Sequence, residues 1–223
     1  MQKLNNKIKL TEEQKDLLIG TLLGDGNLQS ETRGRTWRYR SIHKKEHYDY
    51  INHKYIILSN ICGTEPKLSR VYDSRTNKYY ERYLFSTLIE NSLRYYANMF
   101  YKYDINEDKF KKIVPLNIEK YLTPRAIAYW YMDDGSLKWK GKSNAMRICS
   151  DGFSLDDVMR LKKVINDKYN INMQLIKIKK KDIIIGYRLQ INEANSILFR
   201  ELIKPYLLEV MSYKVSDGNK NHL

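Results

Sequence analysis

Cysteine, proline and long apolar runs are scarce in this chain of 223 residues. Its two cysteines, Cys62 and Cys149, are too few and too far apart for a disulfide scaffold or a cysteine-based zinc site, and they favour a reducing compartment. No apolar stretch approaches the roughly 18–20 residues that a membrane span needs. The opening MQKLNNKIKL is followed by no apolar run, so we expect no signal or transit peptide. Four prolines, ten glycines and 42% hydrophobic residues exclude fibrous and disordered classes.

Acidic residues are also in deficit, with 26 against 40 lysines and arginines, which gives a net charge of +14. Residues 1–111 hold 20 basic and 14 acidic side chains, and residues 112–223 hold 20 and 12. Because both halves carry the excess, it is typical of one long basic surface that binds a polyanion such as a nucleic acid. A basic protein without such a partner is the alternative, since net charge does not define a fold.

The chain repeats one apolar segment after about half its length. Residues 10–26 read LTEEQKDLLIGTLLGDG, and residues 122–135 read LTPRAIAYWYMDDG. Each segment opens on Leu-Thr and closes on Asp-Gly, and the two aspartates, Asp25 and Asp134, lie 109 residues apart. This period indicates two related halves.

Both segments carry signals for the start and the end of a helix. Thr11 with Gln14 three residues later is typical of a capping box, and Thr123 is followed by a proline at the first helical position. Because glycine commonly follows the last helical residue, Gly26 and Gly135 are predicted to mark the two helix ends. The two aspartates would then lie at helix C-termini.

A similar series of elements follows each of these helices. In the first half, apolar periodicity predicts strands at 36–42, 67–73 and 78–86 and helices at 44–61 and 88–103. In the second half, it predicts strands at 145–150, 173–178 and 183–191 and helices at 154–169 and 193–204. We therefore predict an α+β fold with two pseudo-symmetric αββαββα halves, residues 1–107 and 121–223, joined by a connector over 108–120. The first helices of the halves are expected to pack side by side on the approximate two-fold axis.

Two aspartates at adjoining helix C-termini need positive charge nearby. The C-terminal end of a helix dipole is negative, so a carboxylate there is unfavourable by roughly 0.3–1 kcal/mol. Gly20 and Gly24 lie on one face of the first helix, and with the small Ala128 of the second they would allow close backbone approach. Two carboxylates together with water and phosphate oxygens suit Mg²⁺, which prefers hard oxygen ligands. The pattern therefore indicates phosphodiester hydrolysis.

The nonapeptides LIGTLLGDG at 18–26 and IAYWYMDDG at 127–135 resemble the two signature helices of single-chain LAGLIDADG homing endonucleases. The resemblance extends to the motif spacing, to YLTP at 121–124, to LIKPYL at 202–207 and to Tyr213-Lys214. It therefore touches most of the chain. It implies antiparallel, saddle-shaped sheets that lie on DNA around a central two-helix interface.

The resemblance assigns roles to single positions of the motifs. The eighth residues, Asp25 and Asp134, match the catalytic carboxylates that bind the metal. The seventh residues, Gly24 and Asp133, belong to the same metal site. Because adjacent helical residues do not share a face, Asp133 is expected to be solvated or to support the ligands, without binding the ion itself.

Members of this family also place a lysine late in each half, near the metal. Lys214 matches that position in the second half. Lys111 and Lys112 compete for it in the first half, and we favour Lys112. The second motif departs from the usual small residues, with Tyr129 and Trp130 at the third and fourth positions, which leaves the fine packing of the helices open.

Basic and aromatic residues in the strand segments are candidates for the DNA-binding surface. A β-ribbon fits the major groove, where arginine reads base edges and lysine mainly holds phosphates. For any single residue, a solvated surface charge is the alternative. The candidates are Arg33, Arg35, Arg38, Arg40, Lys67, Arg70, Arg75, Lys78, Tyr80 and Arg82 in the first half, and Lys138, Lys140, Lys142, Arg147, Lys177, Lys179 and Arg188 in the second.

The resemblance implies a monomer that cuts both strands of a long asymmetric DNA site and leaves short 3′ overhangs. Its cofactor would be Mg²⁺, with Mn²⁺ as a substitute and Ca²⁺ as a non-catalytic one. The alternative is a maturase that binds intron RNA and assists splicing without cutting DNA. A compartment that holds the host DNA, in a mitochondrion, another organelle or a bacterial cytoplasm, is expected.

Two competing motifs are weaker. Residues 43–47, HKKEH, match the H-x-x-E-H pattern of inverted zinc metallopeptidases, but His43 lies at the end of a predicted strand, where the helical spacing of the ligands fails. Gly20, Gly24 and Gly26 end a helix and precede no Lys-Ser/Thr pair, so they do not form a phosphate-binding loop.

Overall fold

The computed structural model describes residues 8–139 and 142–216. Each half follows the order α-β-β-α-β-β-α. The first comprises α1 (Glu12–Leu23), β1 (Asn27–Gln29), β2 (Arg38–Lys44), α2 (Tyr48–Leu58), β3 (Lys67–Asp73), β4 (Lys78–Ser86) and α3 (Leu93–Phe100). A hairpin of β5 (Tyr101–Asp104) and β6 (Lys109–Lys112) follows. The second comprises α4 (Pro124–Asp134), β7 (Gly135–Trp139), β8 (Ser143–Cys149), α5 (Leu155–Tyr169), β9 (Met173–Lys180), β10 (Ile183–Ile191) and α6 (Glu193–Ile203).

The two halves form sheets of the same topology. Their strand orders are β1-β2-β4-β3 and β7-β8-β10-β9, and every pair of neighbours is antiparallel. Equivalent strands therefore occupy equivalent places in both halves. This confirms the predicted α+β class and its pseudo-symmetric repeat.

Helices α1 and α4 pack against each other between the two sheets and join the halves through one hydrophobic core. Both are buried on every side along most of their length, from Leu17 to Leu23 and from Ala126 to Asp133. A helix enclosed by a partner helix and by sheets needs no polar stripe, which explains its nearly continuous apolar sequence. Both predicted N-terminal caps are present.

Gly20 is the point of closest approach between these two helices. A Cβ atom there would lie 2.2 Å from the carbonyl oxygen of Ala126 and 2.6 Å from Cβ of Tyr129, so any side chain would push α4 away. Ala128 is fully buried, but the atoms that close on Gly20 belong to Ala126 and Tyr129. The Tyr129 hydroxyl lies 2.8 Å from Nε2 of His53.

The C-terminal end of α1 differs from the sequence-based prediction. Helix α1 ends at Leu23 with Gly24 as its cap, so the prediction that Gly26 ends it was wrong. The amides of Gly24 and Gly26 both donate to the carbonyl oxygen of Thr21, which closes the helix with two tight turns. Helix α4 does reach Asp134 and ends at Gly135 as predicted.

The segment after α3 also differs. A helix was predicted over 88–103, but α3 covers only Leu93–Phe100, and the chain then enters the β5–β6 hairpin. Asp104 turns the chain, because its Oδ1 accepts the amides of Asn106 and Glu107. Strands β1 and β7 were not predicted individually. Among the described residues, no helix is long and apolar enough to cross a bilayer.

Candidate active site

The C-termini of α1 and α4 meet side by side. The helices run parallel, because one hydrogen bond joins them near their N-terminal ends and another joins their C-terminal ends. Thr123 at the start of α4 donates to Asp16 of α1 at 2.8 Å. At the C-terminal ends, the amide of Asp25 donates to Oδ2 of Asp133 at 3.0 Å. The parallel packing thus brings the two motif aspartates, Asp25 and Asp134, to one place.

Both motif aspartates lie in an environment that disfavours their ionisation. Burial, with the negative charges of Asp25 and Asp133, raises the pKa of Asp134 to about 8. Asp25 is still exposed to solvent, yet loss of hydration and the charge of Asp133 raise its pKa as well. Within the described parts of the chain, neither side-chain carboxylate accepts a hydrogen bond. Two carboxylates without donors beside two negative helix ends attract a cation.

Two lysines flank the aspartates in equivalent positions. Lys112 Nζ donates to the carbonyl oxygens of Gly24 and Gly26 at 3.0 and 2.8 Å, and Lys214 Nζ donates to that of Asp133 at 2.7 Å. Gly24 and Asp133 both hold the seventh position of their motifs, so each lysine caps the end of its own helix. Burial lowers the pKa of both lysines, and the nearby aspartates partly oppose it.

Lys111, the competing candidate, points elsewhere. Neighbouring residues of a strand face opposite sides, so Lys112 of β6 turns inward while Lys111 turns out. Lys111 is exposed and pairs with Asp104 at 2.7 Å and with Glu107. Of the two lysines, only Lys112 reaches the helix ends.

The donor set fits a hard divalent cation. In the described parts of the chain, Asp25 and Asp134 offer carboxylate oxygens that are free of hydrogen bonds. Burial raises the pKa of both, and the charge of Asp25 raises that of Asp134 further, which a shared cation would relieve. Gly24 has no side-chain ligand to offer, and its carbonyl oxygen accepts a hydrogen bond from Lys112 on one of its two lone pairs.

Asp133 is the centre of a buried polar network and is not solvated, so of its two expected roles, support of the ligands is the one that this position allows. Its side chain is fully buried. Oδ1 accepts hydrogen bonds from Lys54 Nζ at 2.7 Å and Tyr50 Oη at 2.8 Å, and Oδ2 accepts the Asp25 amide. Burial pushes the pKa of Asp133 up, but the charge of Lys54, the nearby His43 and the hydrogen bonds from Lys54 and Tyr50 together outweigh it and hold the pKa below its usual value.

His43 completes this network. Its Nε2 lies 2.8 Å from Lys54 Nζ. Burial and the charge of Lys54 lower the pKa of His43 to about 3, so the ring is neutral and its Nε2 accepts the hydrogen bond. Ligand atoms of Asp25, His43 and Asp133 all lie within 4.8 Å of one another, but the Lys54 ammonium already bonds to two of the three residues.

The H-x-x-E-H segment does not form a zinc site. His43 belongs to β2 and His47 to a 3₁₀ turn, so no helix aligns them. Their side chains bond to different partners, His43 to Lys54 and His47 to the Tyr213 hydroxyl at 3.0 Å.

Comparisons with known proteins identify the family of the chain. The model of the LAGLIDADG DNA endonuclease family matches residues 15–199. The chain belongs to this family. It is 53% identical to DNA endonuclease I-ChuI of Chlamydomonas applanata over 97% of this chain and 100% of that protein. It is 29% identical to cytochrome b mRNA maturase bI2 of Debaryomyces hansenii over 96% of this chain and 78% of that protein. The solved structure of the homing endonuclease I-WcaI bound to its DNA recognition sequence has the same fold, with a TM-score of 0.82 at 24% identity, over 93% of this chain and 88% of that one.

In this LAGLIDADG chain, one face of each sheet covers the core and the other is open. Along β2, the buried Tyr39, Ser41 and His43 alternate with more accessible residues, and β10 buries Leu189 and Ile191 in the same way. We call the opposite side the open face. By strand register it includes Arg38, Arg40, Lys67, Lys78, Tyr80 and Arg82 in the first half, and Arg147 and Arg188 in the second.

Three predicted DNA contacts lie on the core-side face instead. Arg70 pairs across the strands with Glu81, and its guanidinium lies 4.4 Å from the centre of the Tyr79 ring. Lys177 pairs with Tyr187, which packs on the core, and Lys179 lies two residues further along the same strand. Their position in the alternation, not their charge, decides this placement.

The remaining candidates lie in loops, lie near strand ends or already have acidic partners. Arg33 and Arg35 lie in the β1–β2 loop, Lys138 lies near the end of β7, and Lys142 lies just before β8, while Lys140 falls outside the described residues. Three open-face or hairpin arginines form ion pairs, which a polyanion would have to replace: Arg38 with Glu31, Arg75 with Asp73 and Arg188 with Asp151.

Proposed function

We propose that this chain is a site-specific homing endonuclease that hydrolyses phosphodiesters in both strands of DNA. The observation that carries the proposal is the pairing of Asp25 and Asp134 at two adjoining helix ends, each flanked by one lysine in an equivalent place. The two halves of the site correspond to two phosphodiesters, one in each strand.

Asp25 and Asp134 would hold Mg²⁺, with Mn²⁺ as a working substitute and Ca²⁺ as a non-catalytic one. The bound metal would supply a Lewis acid for the scissile phosphate and would lower the pKa of coordinated water. Solved structures of the related fold of I-DmoI include complexes with DNA and Mn and with DNA and Ca, with TM-scores of 0.53. The chain contributes the two carboxylates and a fixed spacing between them.

Lys112 and Lys214 would orient the attacking water or a phosphate oxygen. An ammonium has three donors. Lys112 uses two of them on backbone carbonyls and Lys214 uses one, so each can still donate. Because those carbonyls hold the ammonium groups in place, the remaining N–H groups of both lysines are already oriented before DNA binds.

The open faces of the two sheets would bind a long, asymmetric DNA site. Arginines on these faces can read guanine edges in the major groove, while lysines hold phosphates. Because one chain carries both halves of the site, a monomer suffices. Opposed cuts across the minor groove, with short 3′ overhangs, follow from the family resemblance, as does residence in an organelle or bacterium that holds the target DNA.

Purified protein incubated with DNA that spans the insertion site of its encoding intron tests the proposal. We expect cleavage of both strands at one position with Mg²⁺ and none with EDTA. Cleavage that is unaffected by EDTA, or no cleavage of any strand at that site, would reject it.

A maturase role is the second candidate, favoured by the likeness to the bI2 maturases. The two functions separate in one comparison on the same preparation. Stimulated splicing of the intron RNA without cleavage of the DNA site would favour the maturase over the endonuclease.

A further inference from the structure

The two motif aspartates are held in different ways. Helix α4 continues through Asp134, and the next amide, that of Gly135, still donates to the carbonyl of Tyr131. Asp134 therefore has its backbone fixed by its own helix. Helix α1 stops at Leu23, so Asp25 lies beyond the helical ladder, and its amide donates to Oδ2 of Asp133 in the other half.

The reverse contact does not exist, because the position equivalent to Asp133 in the first motif is Gly24. A side chain there would collide with Asp133: a Cβ atom on Gly24 would lie 2.5 Å from Asp133 Cβ and 2.9 Å from its Oδ2. The space between the helix ends holds one carboxylate, and it belongs to the second motif. The pseudo-symmetry of the site is therefore broken at the seventh position.

The carboxylate of Asp133 is in turn fixed from helix α2. Tyr50 and Lys54 are four residues apart on its buried face, and both bond to Oδ1, while Lys54 Nζ lies 4.1 Å from the centre of the Tyr50 ring. His43 of β2 accepts a further hydrogen bond from Lys54. With Oδ1 held by two donors, Oδ2 is left directed at the Asp25 amide.

We propose that Tyr50 and Lys54, acting through Asp133, are positioning residues for Asp25 and not for Asp134. The inference rests on the proposed function and extends it: the two half-sites differ in what supports them, so cleavage of one DNA strand depends on α2 and cleavage of the other does not.

The test uses the full chain and a supercoiled plasmid with one target site, together with a duplex labelled on either strand. Tyr50→Phe keeps the ring and removes one hydrogen bond to Asp133. Lys54→Met keeps the length and removes the charge. Because a small displacement of a catalytic group costs up to about 100-fold in rate, we expect one strand to slow by roughly 10- to 100-fold in both variants while the other stays within about 2-fold. Nicked plasmid should accumulate, always cut in the same strand.

Gln14→Met is the matched control. Gln14 is also buried and also joins α1 to α2, through hydrogen bonds to the Ile57 carbonyl and Asn60, but it lies at the opposite end of α1 from Asp25. This variant should lower the melting temperature and leave the ratio of the two strand rates at the wild-type value.

The outcomes are distinct. If wild-type protein cuts both strands and Tyr50→Phe slows them equally, or slows neither, the positioning role is rejected and the endonuclease proposal stands. If wild-type protein cuts neither strand, both fail. Lys54→Met leaves a buried carboxylate unpaired and can prevent folding, and in that case Tyr50→Phe alone decides.

Discussion

Without divalent cations, the folded protein should become less stable as the pH rises from 6.5 to 8. The cause is Asp134, whose pKa is raised to about 8 by burial and by the charges of Asp25 and Asp133. An aspartate in an unfolded chain has a pKa of about 4, so through this range the folded state keeps a proton that the unfolded state has released. Unfolding then releases a proton, and raising the pH favours it.

The size of the effect follows from the same shift. One pKa unit corresponds to about 1.4 kcal/mol. Between pH 6.5 and 8, unfolding releases slightly less than one proton from Asp134, so the free energy of unfolding falls by about 1–2 kcal/mol over these 1.5 pH units. Asp134→Asn keeps the shape of the side chain and cannot ionise. His43 and His47, whose pKa values are lowered mainly by burial to about 3 and about 4, add stability as the pH rises, but they do so in both proteins.

Urea unfolding in EDTA at pH 6.5 and pH 8 measures this. The advantage of Asp134→Asn over wild type should grow by about 1–2 kcal/mol between the two pH values. Adding Ca²⁺ should remove the growth, since a bound cation favours the ionised carboxylates. Parallel pH curves for the two proteins in EDTA would refute the raised pKa of Asp134.

Three further outcomes follow from the same geometry. Gly24→Ala should lower the free energy of unfolding by about 1–3 kcal/mol, because its Cβ would overlap Asp133, and a wild-type melting temperature would contradict this. Lys112→Met should abolish cleavage of at least one strand while Lys111→Met cuts normally, in a time course of plasmid cleavage, and equal losses would argue against the assigned lysine. Binding to target DNA in Ca²⁺ should weaken by roughly 10³–10⁵ between 50 and 200 mM salt if 6–10 phosphates are contacted, and a flat response would exclude the open-face interface.

Much of the fold could be predicted because it depends on short-range sequence patterns. The helix caps at Thr11 and Thr123 are short-range chemistry, and the repeated segment fixes the number of halves. Strands β3 and β4 match their predicted bounds because alternation and turn residues agree there. The end of α1 could not be located, because Gly24 and Gly26 are both adequate stops, and Asp133, which accepts the Asp25 amide just beyond that end, lies 108 residues further along the chain.

The residues that hold Asp133 in place could not be predicted from sequence patterns either, because they depend on contacts between distant parts of the chain. Lys54 would ordinarily be assigned to the solvated side of α2, and only the tertiary structure shows it fully buried against Asp133. One signal was available: Lys54 lies four residues after Tyr50 and before Leu58, on the stripe that α2 buries. The face of Arg70 likewise depends on strand register, which residue type does not reveal.

Cleavage by the two single variants Asp25→Asn and Asp134→Asn tests the central claim most directly. We expect each variant to bind target DNA in Ca²⁺ with nearly wild-type affinity and neither to produce double-strand breaks in Mg²⁺. Either variant linearising the plasmid at the wild-type rate would contradict the joint role of the two helix-end carboxylates.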